Sequence, residues 1–94
     1  MLRMDDDRFI PGWRDLADAV HAYDCKLCVQ FLTPGRYGRK ECVEGDDNLL
    51  SASDVFARMT GTTPRPMTLE DIKLVQQRYA AAALRCKQAG VDGV

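Results

Sequence analysis

Four thiols, one imidazole and a small basic cluster are the residues of this 94-residue chain that first suggest chemistry. Cys25 and Cys28 stand in a Cys-x-x-Cys spacing, with Cys42 downstream and Cys86 far along the chain. Cys25, Cys28 and Cys42 together could hold zinc or support thiol redox chemistry. In zinc and thioredoxin-like sites the two thiols converge because the motif bends at a turn or helix start. On an extended strand, residues three apart point to opposite faces. A strand here therefore predicts that Cys25 and Cys28 share neither a metal nor a disulfide. His21 is the single histidine, so no multi-histidine metal site and no Ser-His-Asp arrangement can be built. A helical His21 reads as structural. Arg36, Arg39 and Lys40 flank Tyr37 and could meet a phosphate. The nearby Glu41, Glu44, Asp46 and Asp47 favour a solvated loop in which Arg36 pairs with one of them.

The charge balance narrows the partners. Thirteen Lys and Arg face fourteen Asp and Glu, a net charge of −1, which argues against a strongly basic nucleic-acid binder. An apolar share of 46% and a charged share of 29% are those of a globular protein and exclude collagen-like or disordered chains. The longest apolar run, from Tyr79 to Leu84, is six residues, too short for a bilayer. No apolar signal core follows Met1, because Asp5, Asp6 and Asp7 intervene. The expectation is a cytoplasmic protein without a membrane partner.

The elements that must position these residues alternate. Trp13, Leu16, Ala17, Val20 and Tyr23 share one helical face and predict a helix over 11–23, with Pro11 suited to its first turn. A strand is expected over 25–32, with Cys25, Leu27, Val29 and Phe31 on one side and Lys26, Cys28, Gln30 and Leu32 on the other. Residues 33–67 read as a long, packed functional loop, with a short helical turn near 53–59. Thr68 and Asp71 mark a capping box. Ile72, Val75, Tyr79, Ala82, Ala83 and Cys86 continue as a helical stripe, which places Cys86 in the core, and Gly90 ends the helix. Val91 to Val94 look like the start of another strand. Helix, strand, long loop, helix and strand start imply an α/β fold with a parallel sheet. One and a half strands cannot make a covered sheet, so the pattern reads as part of a larger α/β protein.

Several runs together resemble one family. His21-Ala22, the apolar strand ending in Gln30-Phe31, and Gly35-Arg36 follow in order. Ser51-Ala52-Ser53, Pro64-Arg65-Pro66-Met67-Thr68-Leu69-Glu70-Asp71-Ile72 and Ala89-Gly90-Val91-Asp92-Gly93-Val94 complete the series. In this order they resemble the old yellow enzyme family of NADH:flavin oxidoreductases, in its branch of enoate and 2,4-dienoyl-CoA reductases. The resemblance implies a (β/α)8 TIM barrel of about 250 residues, with residues 1–94 an incomplete N-terminal part and FMN at the carboxyl ends of the strands. It implies NAD(P)H as hydride donor and an enoate or enone-like small molecule as substrate in the parent. Gln30 then falls where the family's glutamine meets the pyrimidine edge of the flavin. An amide offers both donors and an acceptor to such an edge; the plainer reading is a strand-end amide capping a loop.

Two departures stand out. Thr33 occupies a place where many members have histidine, and Asp24 replaces a turn glycine, which predicts a slightly strained turn. The family's iron–sulfur cysteines lie beyond this segment, so none of the four thiols is assigned to a cluster. No catalytic residue and no metal ligand is assigned, and the chain alone is expected to be inactive. Two other readings remain: a non-catalytic helical binding module derived from the family, and a thiol or zinc protein using Cys25, Cys28 and Cys42.

Overall fold

The computed structural model describes residues 2–38 and 49–94. Helix α1 spans Ile10–His21 and α2 spans Leu69–Gln88; strands β1 (Leu50–Ser51) and β2 (Arg65–Pro66) form a two-stranded parallel sheet. The chain is α/β, as the alternating pattern predicts. It divides into two compact units, one of residues 1–31 and 74–94, the other of residues 32–73.

In the first unit, Pro11 sits in the first turn of α1, where a missing N–H leaves no bond unmade. Ala17 is fully buried and Trp13 packs against the core. The Trp13 indole N–H donates to the Arg3 carbonyl at 2.7 Å, which holds the N-terminal segment beside α1. Met4, Val29, Ala82 and Cys86 form the core, with Trp13, Phe31 and Val91 packed on it. The apolar stripe expected on α1 is only half used: Leu16 is part-exposed, and Tyr23 lies past the helix end at 83% exposure.

The acidic residues before α1 make specific bonds. Asp6 accepts the Arg8 N–H and starts a 3-10 turn over Asp7–Phe9. Asp7 meets Arg85 at 2.6 Å. The Arg3 guanidinium hydrogen-bonds Asp5 and holds its carboxyl down at about 2.

Asp24 follows α1 at φ +54°, so the turn expected to be slightly strained is made with a Cβ in the left-handed region. Asp24→Gly is expected to raise stability by about 0.5–1 kcal/mol, read as a higher denaturant midpoint at unchanged slope. A lower midpoint would show that the aspartate side chain compensates for its backbone.

The strand expected over 25–32 is reduced to a single parallel bridge, Cys28 with Gly93. The Val29 N–H donates to the Gly93 carbonyl at 2.9 Å, and the Asp92 N–H to the Leu27 carbonyl at 3.0 Å. Among the described residues the pairing extends no further. From Val29 to Phe31 the alternation is as predicted, with Val29 buried, Phe31 packed on the core and Cys28 and Gln30 exposed, whereas Cys25, expected on the Val29 side, is exposed.

Helix α2 carries the capping box. The Asp71 N–H donates to Thr68 Oγ1 at 3.1 Å, and the Thr68 N–H donates to Asp71 Oδ2 at 2.7 Å. Arg65 adds a two-pronged ion pair to Asp71 at 2.7 and 3.0 Å. These bonds hold the Asp71 carboxyl well below the usual carboxylate range, with Arg65 the main cause. Gly90 ends the helix at φ +84°. Val91 N–H reaches the Cys86 carbonyl and Gly90 N–H the Lys87 carbonyl, the paired bonds of a Schellman motif.

The second unit corrects the reading of 33–67 as a loop. It contains the β1–β2 pair, with Leu50 opposite Arg65 and Ser51 opposite Pro66. The helical turn expected near 53–59 is absent from the described residues. Ala57 bridges Thr62 in antiparallel fashion around a tight turn, made possible by Gly61 at φ +67°. The Thr60 and Thr62 hydroxyls meet at 2.8 Å and tie the turn together.

Candidate functional site

Parallel pairing gives the first unit a direction. Chain following Cys28 and chain following Gly93 leave the bridge on the same side, so Gln30 and Val94 arrive at one edge. In α/β folds, ligands bind outside the carboxyl ends of parallel strands. A cleft of about 470 Å³ opens there, lined by Cys28, Val29, Gln30, Phe31, Tyr79 and Val94. That volume falls in the range of small-molecule sites, about 300–1,000 Å³.

The walls are mainly apolar. Phe31 and Tyr79 meet edge to face with centroids 5.8 Å apart, which fixes the aromatic side. Gln30 is exposed at the rim, and its amide has no hydrogen-bond partner among the described residues. An unengaged amide beside an apolar wall suits a flat heteroaromatic ring whose edge alternates N–H and carbonyl groups. The residues present therefore fit one edge of a flavin. The sequence pointed to Gln30; it did not point to Tyr79 or Val94 as its neighbours, because both come from distant parts of the chain.

Other candidate residues lie elsewhere. Cys25 and Cys28 are exposed, and Cys86 is buried, where desolvation pushes its thiol pKa up. The Cys25 thiol points to the Tyr23 carbonyl at 3.5 Å. No three His, Cys, Asp or Glu side chains gather for a metal among the described residues; Cys42 lies outside them. His21 Nε2 meets Asp92 Oδ2 at 2.6 Å, a structural pairing of the kind expected for a helical histidine. Arg36 lies in a 3-10 turn over Gly35–Tyr37, stacks 5.0 Å from the Tyr37 ring centroid and donates to the Tyr37 hydroxyl at 2.9 Å. Its expected acidic partners Glu41, Glu44, Asp46 and Asp47, with Arg39 and Lys40 of the basic cluster, lie outside the described residues.

Asp92 is the residue that sequence reasoning missed. Its carboxylate accepts from His21, from Lys26 Nζ at 3.0 Å and from the Leu27 N–H at 3.0 Å. These bonds, His21 first, hold its carboxyl well below the usual range. Both Asp71 and Asp92 therefore add stability above the ordinary carboxylate range, and that stability is lost as acid protonates them. No helix among the described residues is long and apolar enough to cross a membrane.

The chain is 42% identical over 94 residues to a metal reductase of Desulforamulus reducens, covering 100% of this chain and 14% of that protein. It is 37% identical over 93 residues to an NADH oxidase of Thermoanaerobacter brockii, covering 99% of this chain and 14% of the relative. An NADH:acrylate oxidoreductase of Vibrio harveyi is 38% identical over 94 residues, with 99% of this chain and 9% of the relative covered. The chain thus spans about a seventh of the first two relatives. The profile of the NADH:flavin oxidoreductase / NADH oxidase family matches residues 1–94 throughout, and the chain belongs to that family.

Proposed function

We propose that this chain is part of the FMN-binding (β/α)8 barrel of a cytoplasmic NAD(P)H-dependent oxidoreductase of the ene-reductase type. The observation that carries the reading is the Gln30 amide at the rim of an apolar cleft, at the carboxyl edge of a parallel pair. The open apolar side chains of the first unit, Leu16, Leu74 and Leu84 among them, suit a sheet that continues beyond one pair. The acrylate-reducing relative supports an electron-poor alkene as substrate.

Bound FMN supplies hydride transfer from a nicotinamide to such an alkene. Gln30 would hold and orient the ring edge, since its amide offers both donors and an acceptor. Phe31 and Tyr79 would give that edge an apolar wall. No described residue of this segment is assigned the proton that completes the reduction. The 94-residue chain by itself is therefore inactive in this reading.

The test uses the complete polypeptide that carries this segment. It should purify with stoichiometric FMN and oxidise NAD(P)H when an enoate or enone is added. Gln30→Ala should weaken FMN binding roughly ten-fold, as expected for one or two lost hydrogen bonds, and shift the bound flavin's visible spectrum. The isolated 94-residue chain should retain no stoichiometric flavin. A complete protein without flavin, or Gln30→Ala with unchanged affinity and spectrum, would refute the assignment.

A further inference from the structure

Asp92 joins three separate pieces of the first unit. It takes His21 from the last turn of α1, Lys26 from the start of the extended segment, and the backbone of Leu27. Its own N–H returns a bond to the Leu27 carbonyl at 3.0 Å. Asp92 and Leu27 therefore clasp each other twice, once through backbone and once through side chain, immediately before the Cys28–Gly93 bridge. Beyond that clasp, the described pairing consists of Val29 N–H to the Gly93 carbonyl.

At this point the described pairing is a single bridge, so side-chain bonds beside it add to what holds its register. Side chains alternate faces along an extended segment, so a slip of one residue exchanges the two faces. Val29 and Phe31 would leave the core, and Gln30 would leave the cleft. Gly93 leaves little room for error as well, because a Cβ there would lie 3.1 Å from Cys28 Sγ. The side-chain bond from Asp92 to the Leu27 N–H counts against such a slip, and His21 and Lys26 hold the carboxylate in the orientation that makes it.

We infer that Asp92 is a positioning residue: its clasp on Leu27 sets the register that places the Gln30 amide at the cleft rim. The consequence for flavin binding rests on the function proposed above, whereas the register itself does not. Among the titratable groups of the described residues, His21 and Lys26 are in direct contact with the Asp92 carboxylate.

The complete polypeptide is compared as wild type, Asp92→Ala, Asp92→Asn and Asp7→Ala. Asp7→Ala removes a different ion pair of the same unit, that with Arg85. Amide exchange over 27–31 and 91–94 is read by mass spectrometry, with FMN affinity and the bound-flavin spectrum measured in parallel. Asp92→Ala should accelerate exchange over 27–31 about ten-fold or more by opening the local pairing, and weaken FMN binding roughly ten-fold through the displaced amide. Asp92→Asn keeps an acceptor for Leu27 but loses the ionic partners, and should fall between. Asp7→Ala should leave the exchange over 27–31 and the flavin spectrum as in wild type.

Unchanged exchange in Asp92→Ala overturns the inference, and so does equal acceleration in Asp7→Ala, which would mean general loosening. Faster exchange with undisturbed flavin binding also overturns it, because Gln30 would then be placed independently of the register. If Asp92→Ala does not accumulate, Asp92→Asn against Asp7→Ala decides the same question. A wild-type protein that binds no flavin sinks the proposed function alone, while the exchange comparison still decides the register.

Discussion

Cys86→Asp is expected to unfold the first unit rather than loosen it. Cys86 is 1% exposed and packs in the core cluster of Met4, Val29 and Ala82, with Trp13, Phe31 and Val91 against it. Burial already disfavours ionisation there, since desolvation raises the thiol's pKa. A carboxyl at this position would meet no cation in the cluster, so it would either carry an unpaired charge or be held neutral with its pKa pushed up, and both cost stability. An uncompensated buried charge costs about 3–5 kcal/mol, close to the whole stability of a small domain at the low end of about 5–15 kcal/mol. Cys86→Ala removes only the sulfur and should cost about 1–2 kcal/mol, leaving a folded protein with a lower denaturant midpoint. Near-UV circular dichroism reads the difference, because Trp13 packs on this core. A wild-type near-UV spectrum for Cys86→Asp at neutral pH would mean that the helix can turn this position toward water.

The same residue shows what could be read from sequence and what could not. Cys86 as a core position follows from the stripe Val75, Tyr79, Ala82 and Cys86, a local period that survives folding. The start of α2 was equally legible, since Thr68 and Asp71 are three residues apart and their reciprocal bonds need nothing else. Alternation gave the faces of Val29 and Gln30 for the same reason. The clasp by Asp92 was not legible, because its partners lie 65 to 71 positions away. The Asp7–Arg85 pair was not legible for the same reason, since the two lie 78 positions apart. Strands β1 and β2 are two residues each, too short for any period to register. Gln30 was found through its family resemblance, and the cleft that gives its amide meaning exists only once Tyr79 and Val94 are brought beside it.

Gly38→Val is expected to destabilise the second unit, by a mechanism that backbone angles do not supply. Gly38 has φ −65° and ψ 153°, a conformation open to any residue. Its requirement is space. A Cβ at Gly38 would lie 2.5 Å from Leu49 Cδ2, 3.2 Å from Pro34 Cγ and 3.3 Å from the Gly35 carbonyl oxygen. The nearest obstacle is a side-chain end, so Leu49 must move. Its freedom is limited, because Leu49 is 5% exposed and its carbonyl accepts the Arg65 N–H at 2.7 Å beside the β1–β2 pair. Overpacking of this kind costs about 1–3 kcal/mol, with Gly38→Ala near the lower end and Gly38→Val at or above the upper. Leu49→Ala alone should also destabilise by about 2–5 kcal/mol, through the space it leaves. Combined with Gly38→Ala, it should cost less than the sum, since the new Cβ enters that space; coupling of about 0.5–3 kcal/mol is expected between touching groups. Gly12 provides the contrast within α1, where a Cβ would meet nothing within 4 Å, so Gly12→Ala should stabilise by about 0.5–1 kcal/mol. Exchange of the Arg65 amide and denaturant midpoints measure these effects. Strict additivity of Gly38→Ala and Leu49→Ala would show that Leu49 yields without cost, leaving Pro34 and the Gly35 carbonyl as the constraint on Gly38.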